Sequence, residues 1–139
     1  MLSSSRFPVA VHALSILAKN AGRGPVCSSM VASSVNTNPV VIRRMMGELE
    51  RAALVTSCPG RSGGFMLGRK ASEITLKDIY SAVEQGGIFK VHKPDPHTKC
   101  PIAVMIGKII AKPLADAEVA LEQSLSSTTL DDVAAKLDG

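Results

Sequence analysis

The sequence predicts a mainly α-helical domain that carries one small β-hairpin and ends in a long helix. Three observations predict it. Apolar residues recur at helical spacing through most of the 139 positions. One glycine-rich segment, Cys58-Pro59-Gly60-Arg61-Ser62-Gly63-Gly64, separates two short runs of strand-forming residues. From Pro101 to about Leu125 a single apolar stripe persists, long for a helix in a chain of this size. The length suits one domain with a modest core. Trp is absent, and there are three Phe and one Tyr. The core must therefore be Leu, Ile, Val, Met and Ala, which favours helix packing.

The first helix is expected from Ser5 to Ala18. Phe7, Ala10, Val11, Leu14, Leu17 and Ala18 share one face at the i, i+3, i+4, i+7 spacing. Ser5 is a candidate cap, and Pro8 is tolerated only in the first turn. Asn20 to Pro25 is loop chemistry. A short second helix spans about Ser28 to Ser34 and buries Val31, Ala32 and Val35. Asn36-Thr37-Asn38 is a turn, because Asn tolerates positive φ and its side chain satisfies nearby amides. Asn38-Pro39 then reads as an N-cap followed by proline at the first helical position. This third helix runs to about Ala53, with Ile42, Met45, Met46 and Leu49 inward.

Leu54 to Ser57 and Phe65 to Leu67 are the strands of a hairpin with a glycine-rich tip. Thr75-Leu76-Lys77-Asp78 is a capping box with Asp in place of Glu, opening a helix that buries Leu76, Ile79, Tyr80 and Val83. Gln85-Gly86-Gly87 ends it, and residues 88–99 form a long connection. The stripe of the following helix includes Ile102, Met105, Ile106, Ile109, Ile110, Ala117 and Leu121. Pro113 is expected to kink that helix or split it in two, because proline removes a backbone donor. Thr129-Leu130-Asp131-Asp132 caps a short last helix.

Helix, short helix, turn, helix and hairpin, in that order, is a winged helix-turn-helix. A recognition helix enters the major groove only if its outward face is free and polar or small. With the apolar stripe turned inward, the third helix shows Val40, Arg43, Arg44, Gly47 and Glu48, and Thr37 and Asn38 stand at its N-terminus. Free amides and the positive dipole end there suit a phosphate. Either arginine can pair with phosphate or read a guanine edge, and Val40 can meet a thymine methyl. At the hairpin tip, Arg61 suits a narrow minor groove. The expected DNA-contacting set is thus Thr37, Asn38, Pro39, Val40, Arg43 and Arg44 on the recognition segment, with Arg61 and Ser62 on the wing.

The formal net charge of +4 hides an asymmetry. Residues 1–70 carry a net +7 and residues 71–139 a net −3. A basic first half on an acidic second half suits a polyanion-binding head on a separate assembly element. The chain divides into a DNA-binding region at 1–84, a connection at 85–100 and a helical region at 101–139, within one compact domain. No run approaches the ~18 apolar residues of a membrane span, and the N-terminus lacks a signal-peptide core. A cytoplasmic protein is expected. No phosphate loop, nucleophile elbow or acid–base pair is evident, so an enzyme is not. The competing reading is a winged-helix protein-interaction module, since fold does not fix function.

The sequence resembles the Rrf2 family of bacterial winged-helix regulators over nearly its whole length. The resemblance rests on Leu2-Ser3, Ala13-Leu14 and Leu17-Ala18, on Val35 to Arg44, on Leu49 to Val55, on Gly60 to Leu67, on Glu73 to Tyr80, and on Thr128 to Asp132. It implies a transcriptional regulator, a repressor by family habit, acting as a homodimer on a two-fold symmetric operator in double-stranded DNA. It also implies that the long C-terminal helices join the protomers, and the stripe of Ile102, Ile106, Ile109, Ile110, Ala117 and Leu121 fits that role. The inducing signal and any small-molecule effector are not legible.

Two departures matter. Where many members have an arginine in the wing this chain has Pro59, and Arg61 is the substitute two positions on. Cluster-binding members use three cysteines close together before the long helix, and this chain has one there, Cys100. An iron–sulfur cluster with the usual ligands is not expected, nor is another cofactor. His92, His97, Asp95 and Cys100 match no zinc spacing, so no metal is assigned. Cys100 is instead a candidate redox sensor: it precedes Pro101 at the start of a helix, near Lys99 and His97, a setting that favours thiolate.

Overall fold

A computed structural model describes residues 5–87, 89 and 92–138. Leu2 and Ser3, and positions 88, 90 and 91 of the connection, lie outside the described residues. In chain order the elements are α1 (Arg6–Lys19), α2 (Ser28–Val35), α3 (Pro39–Arg51), β1 (Val55–Cys58), β2 (Gly64–Leu67), a 3-10 turn at Ala71–Glu73, α4 (Leu76–Val83), α5 (Pro101–Leu125) and α6 (Leu130–Leu137). This is the predicted mainly helical fold with one antiparallel hairpin, in which Val55 faces Leu67 and Cys58 faces Gly64.

Local chemistry sets the element ends. Asn36 ends α2 in the left-handed region at φ 69°. The Asn38 side chain accepts a 2.7 Å hydrogen bond from the Val40 amide, and Pro39 occupies the first position of α3. The far end of α3 closes on Ala53 at φ 62°. The amide of Leu54 donates back to Leu49 O at 3.0 Å, satisfying a carbonyl that the helix leaves open. Ser5 precedes α1 but makes no side-chain cap bond, contrary to the sequence expectation. Pro113 sits inside one continuous α5 and does not split it.

The core binds the first three helices to the hairpin and to both later short helices. Leu14, Val31, Ile42, Met46, Leu49, Leu54, Ile74, Ile79 and Leu130 are fully buried. Of the expected α1 face, Ala10, Leu14 and Leu17 are buried, as is the unanticipated Ser15, whose hydroxyl donates to Val11 O at 2.7 Å. Phe7 packs against the core edge-on to Tyr80 of α4, with ring centroids 5.8 Å apart.

Two short ladders tie distant segments together. Val26 pairs with Phe65, which adds a third, one-residue strand to the free edge of β2. Thr75 pairs with Thr129, through Leu76 N to Thr128 O at 2.9 Å and Leu130 N to Ile74 O at 2.7 Å. Both threonines cap the helices that follow them, each in a complete capping box with Asp78 or Asp132. So α4 and α6 spring from one paired pair of caps, and α6 lies back on α1. Burying Leu130 there contributes roughly 1.5–3 kcal/mol. Helix α5 is different: none of its residues is buried. It meets the rest of the protomer at α4, where the Tyr80 hydroxyl donates to Glu118.

Candidate nucleic-acid interface

The outward face of α3 is built by the same periodicity that makes its inward one. Ile42, Met45, Met46 and Leu49 anchor the helix in the core, which leaves Val40, Val41, Arg43 and Arg44 exposed. Val41 was not anticipated as part of that face. The Arg43 guanidinium donates to Ser28 Oγ at 3.2 Å, bridging α3 to the first turn of α2. Arg44 and the half-buried Thr37 line a cavity of about 150 Å³ with Ser5, Arg6, Val9, Val41 and Met45. The Asn38 oxygen is committed to its cap, and Pro39 is half-buried beside it.

Glu48 departs from the expected outward set. It pairs with Arg6 of α1 and keeps 17% side-chain exposure. Arg6 also donates to Val83 O at 3.2 Å, so one guanidinium ties the α3 carboxylate to the end of α4. Glu50 accepts from Ser57 of the wing at 3.2 Å. Both carboxylates of the basic first half are thereby engaged within the protomer, and the cationic character of the α3 face is left largely unopposed.

The wing tip presents Arg61 and Ser62, both exposed. Its turn depends on Gly60 at φ 103°, whose carbonyl accepts from Gly63 N at 3.1 Å. Gly64 has a separate task. A Cβ there would lie 2.2 Å from Val26 O, so only glycine lets the loop before α2 close onto the wing.

Of the three thiols, Cys100 is exposed at the N-cap of α5, and its amide donates to Thr98 Oγ1 at 3.2 Å. Cys27 stands at the N-cap position of α2, before Ser28, without a side-chain cap bond. A hydrogen bond with Ser29 Oγ (3.2 Å) and the amide of Met30 hold its thiol below the ordinary cysteine pKa. Sequence reasoning did not single out Cys27; its position before a serine-rich helix start was the available signal. On α5, Ile102, Met105 and Ile109 are exposed, Ile106, Ile110 and Leu121 half-buried, and Ala117 exposed. The stripe is therefore only partly covered within the protomer.

A family model described as Rrf2, iron-dependent transcriptional regulator, matches residues 3–136. YwnA of Bacillus subtilis, which carries the name of an HTH-type transcriptional regulator, is 37% identical over 131 residues, covering 94% of this chain and 95% of its own. The HTH-type transcriptional regulator CymR of Bacillus subtilis is 31% identical over 125 residues, covering 88% of this chain and 82% of its own. The solved structure of CymR, the global cysteine regulator of that organism, superposes with a TM-score of 0.70 at 25% identity, over 98% of both chains. A transcriptional regulator from Lactobacillus plantarum superposes with a TM-score of 0.78 at 25% identity, over 96% of this chain and 90% of its own.

The family description includes iron. Iron–sulfur clusters are held by four protein ligands, cysteines or cysteines with histidines. Among the described residues no three His, Cys, Asp or Glu side chains converge. The connection supplies one thiol, Cys100, while Cys27 and Cys58 belong to α2 and the wing. These residues do not fit such a cluster. No described helix is long and apolar enough to cross a membrane.

Proposed function

The chain belongs to the Rrf2 family of transcriptional regulators, and from that premise we propose that it is a cytoplasmic, non-catalytic repressor that binds a two-fold symmetric operator as a homodimer. Helix α3 enters the major groove with Arg43 and Arg44, and Arg61 and Ser62 of the wing grip the adjacent minor groove or backbone. Thr37, Asn38 and Pro39 set the approach of the helix N-terminus to a phosphate, and Val40 meets base methyls. The observation that carries this reading is the exposed arginine pair on a helix whose opposite face is locked in the core. Ile102, Ile106, Ile109, Ile110, Ala117 and Leu121 of two α5 helices join the protomers and set two α3 helices about one DNA turn, ~34 Å, apart. The regulator works without an iron–sulfur cofactor, and the exposed Cys100 thiol is its candidate redox input.

The test is fluorescence anisotropy of the purified protein on DNA from its own promoter, across a salt series and before and after mild oxidation. Saturable, competitor-resistant binding that weakens steeply with salt is expected, because displaced counterions set the slope. Oxidation should weaken binding by the wild-type protein but not by Cys100→Ser. Salt-insensitive association, or no preference for promoter DNA, would instead favour a protein-interaction role. Equal sensitivity of Cys100→Ser to oxidation would remove Cys100 as the sensor.

A further inference from the structure

A groove of about 430 Å³ separates the end of α1 from strand β2 of the wing. Its floor is Leu17, Ala18, Phe65, Leu67 and Ala71, all packed on the core. The loop after α1 forms its rim, where Gly22 and Gly24 turn at positive φ with open space beside them. Arg69 and Lys70 also line it, and no described carboxylate does. Arg69 is held by Asp78 at 3.7 Å and by Ala52 O at 3.2 Å. Lys70 is exposed and makes no ion pair with a described residue. The edge of β2 adds backbone donors. Phe65 exchanges two hydrogen bonds with Val26, at 2.8 and 3.0 Å, while Gly68 N donates to Leu54 O on the other side. Alternate residues of an antiparallel strand turn the same way, so Leu67 points its N–H away from β1, to the edge that Phe65 shares with Val26. The bridge stops at Val26 and Phe65, and Leu67 lines the groove beyond it. The chain enters the 3-10 turn at Ala71, so this open edge is too short to take a strand of another protein. The carbonyls of Ile16, Leu17 and Ala18 at the end of α1 already accept from Asn20 N and Ala21 N, so the negative end of that helix is not left bare.

We propose that this groove is an effector site for a small monocarboxylic acid with an apolar body. Its volume falls within the roughly 300–1,000 Å³ of small-ligand sites, which pair apolar walls with a few placed polar groups. The apolar body covers the floor. The carboxylate lies at the β2 edge, accepting from Leu67 N–H and pairing with the Lys70 ammonium, both of which prefer a charged acceptor. One available cation suits a monoanion. The seated ligand touches Phe65, Met66 and Leu67 of the wing and the end of α1 together, so it bears on the position of the wing. It also cancels one positive charge at the base of the wing, which lowers the attraction to DNA phosphates. Promoter affinity therefore falls when the groove is filled. That effector role rests on the reading of the chain as an operator-binding regulator; the groove and its ligand class do not.

The test is calorimetric titration of the full-length protein at pH 7 with octanoate and 4-phenylbutyrate. Octanol, which lacks the charge, and acetate, which lacks the apolar body, serve as controls. One acid should bind per chain, and the Leu67 amide should shift in a 15N-resolved NMR spectrum. Lys70→Met should weaken binding by roughly 3–10-fold, the loss expected for one exposed charge-assisted contact, and octanol should bind more weakly than octanoate by a similar factor. Ala21→Phe, at an exposed rim position, should fill the groove and abolish binding without unfolding the protein. Either acid should weaken promoter binding by at least about fivefold, the lower end of allosteric coupling, and Ala21→Phe should remove that response. No binding of either acid, or binding indifferent to both Lys70→Met and Ala21→Phe, would overturn the site. Binding that survives Ala21→Phe but is lost in Ile109→Glu would place the acid on the exposed face of α5 and overturn it too. Binding at the groove with promoter affinity unchanged would overturn the effector role. The calorimetry needs no DNA, so the site and the regulator reading fail separately.

Discussion

Arg43 is tied to the protein by one exposed hydrogen bond, to Ser28 Oγ, and its helix is anchored by other residues. Arg43→Ala should therefore leave folding unchanged within about 0.5 kcal/mol, the usual range for surface substitutions. Its effect should fall on DNA, where losing a good bidentate contact costs roughly 1–3 kcal/mol of discrimination. Promoter and scrambled DNA titrated side by side would measure it, and unchanged discrimination would remove Arg43 from the site. Ala53 makes the opposite case, a residue legible only in three dimensions. An L-residue held in the left-handed region costs about 1–2 kcal/mol, which offsets part of what the Leu54 to Leu49 closure of α3 gains. Glycine relieves that strain but costs about 0.5–1 kcal/mol in unfolded-chain entropy. Ala53→Gly should then raise stability by roughly 0.5–1 kcal/mol, seen as a higher thermal midpoint with promoter affinity unchanged. A lower midpoint would mean that the Ala53 methyl contributes more than its backbone strain costs. The sequence ran Ala52-Ala53-Leu54 without Gly or Asn, so nothing in it marked the turn. Glu48 was unreadable for a similar reason: its partner Arg6 lies 42 positions away, beyond any local pattern.

The elements were most legible where their signals are short-range. The caps at Asn38, Thr75 and Thr129, the α3 stripe and the glycine-rich tip all draw on neighbours within four residues, and each appears in the structure as expected. What joins elements was not legible. Neither the Val26–Phe65 pairing nor the Thr75–Thr129 ladder has a local signature. The contact between α4 and α5 is of this second kind. Tyr80 is buried, and burial first, then its bond to Glu118, then the charges of Glu118, Glu84 and Glu122 push its phenol well above the ordinary value. A raised folded-state pKa means that this stabilisation is whole below about pH 10, the unfolded value. It is lost as pH rises further, because the unfolded chain then sheds the proton and the folded one does not. Tyr80→Phe should cost about 1 kcal/mol near neutrality for the lost hydrogen bond. It should also flatten the alkaline arm of stability measured by denaturant melts from pH 7 to 11. An equally steep alkaline arm in the variant would place the responsible group elsewhere.

At the scale of the whole molecule, charge and apolar surface are sorted to different ends. The basic first half folds into the head that carries α3 and the wing, and the closing helix α6 returns to that head through Leu130. Among the α-helices, α5 is the one without a buried residue. Its stripe was plain in the sequence because a helix repeats its own pattern, but no protomer-level pattern says what covers it. Ile102 at 72% and Ile109 at 63% exposure are apolar surface that a second copy of the same helix would remove from water, at about 25 cal/mol per Å². Antiparallel or crossed packing of two such helices makes a self-complementary, two-fold interface, which matches the symmetry that the proposed operator demands. Ile109→Glu tests this. In the isolated protomer the position is open to solvent, so a carboxylate there should shift protomer stability by no more than about 0.5 kcal/mol. In a dimer the same carboxylate would be buried against its own symmetry mate, two like charges with no partner, a cost of several kcal/mol. Sedimentation equilibrium should then show the variant as a folded monomer with a native helical spectrum, and promoter affinity should fall because two half-sites are no longer held by one particle. A variant that remains dimeric at the wild-type concentration dependence would mean that Ile109 lies off the interface and that another face of the molecule joins the protomers.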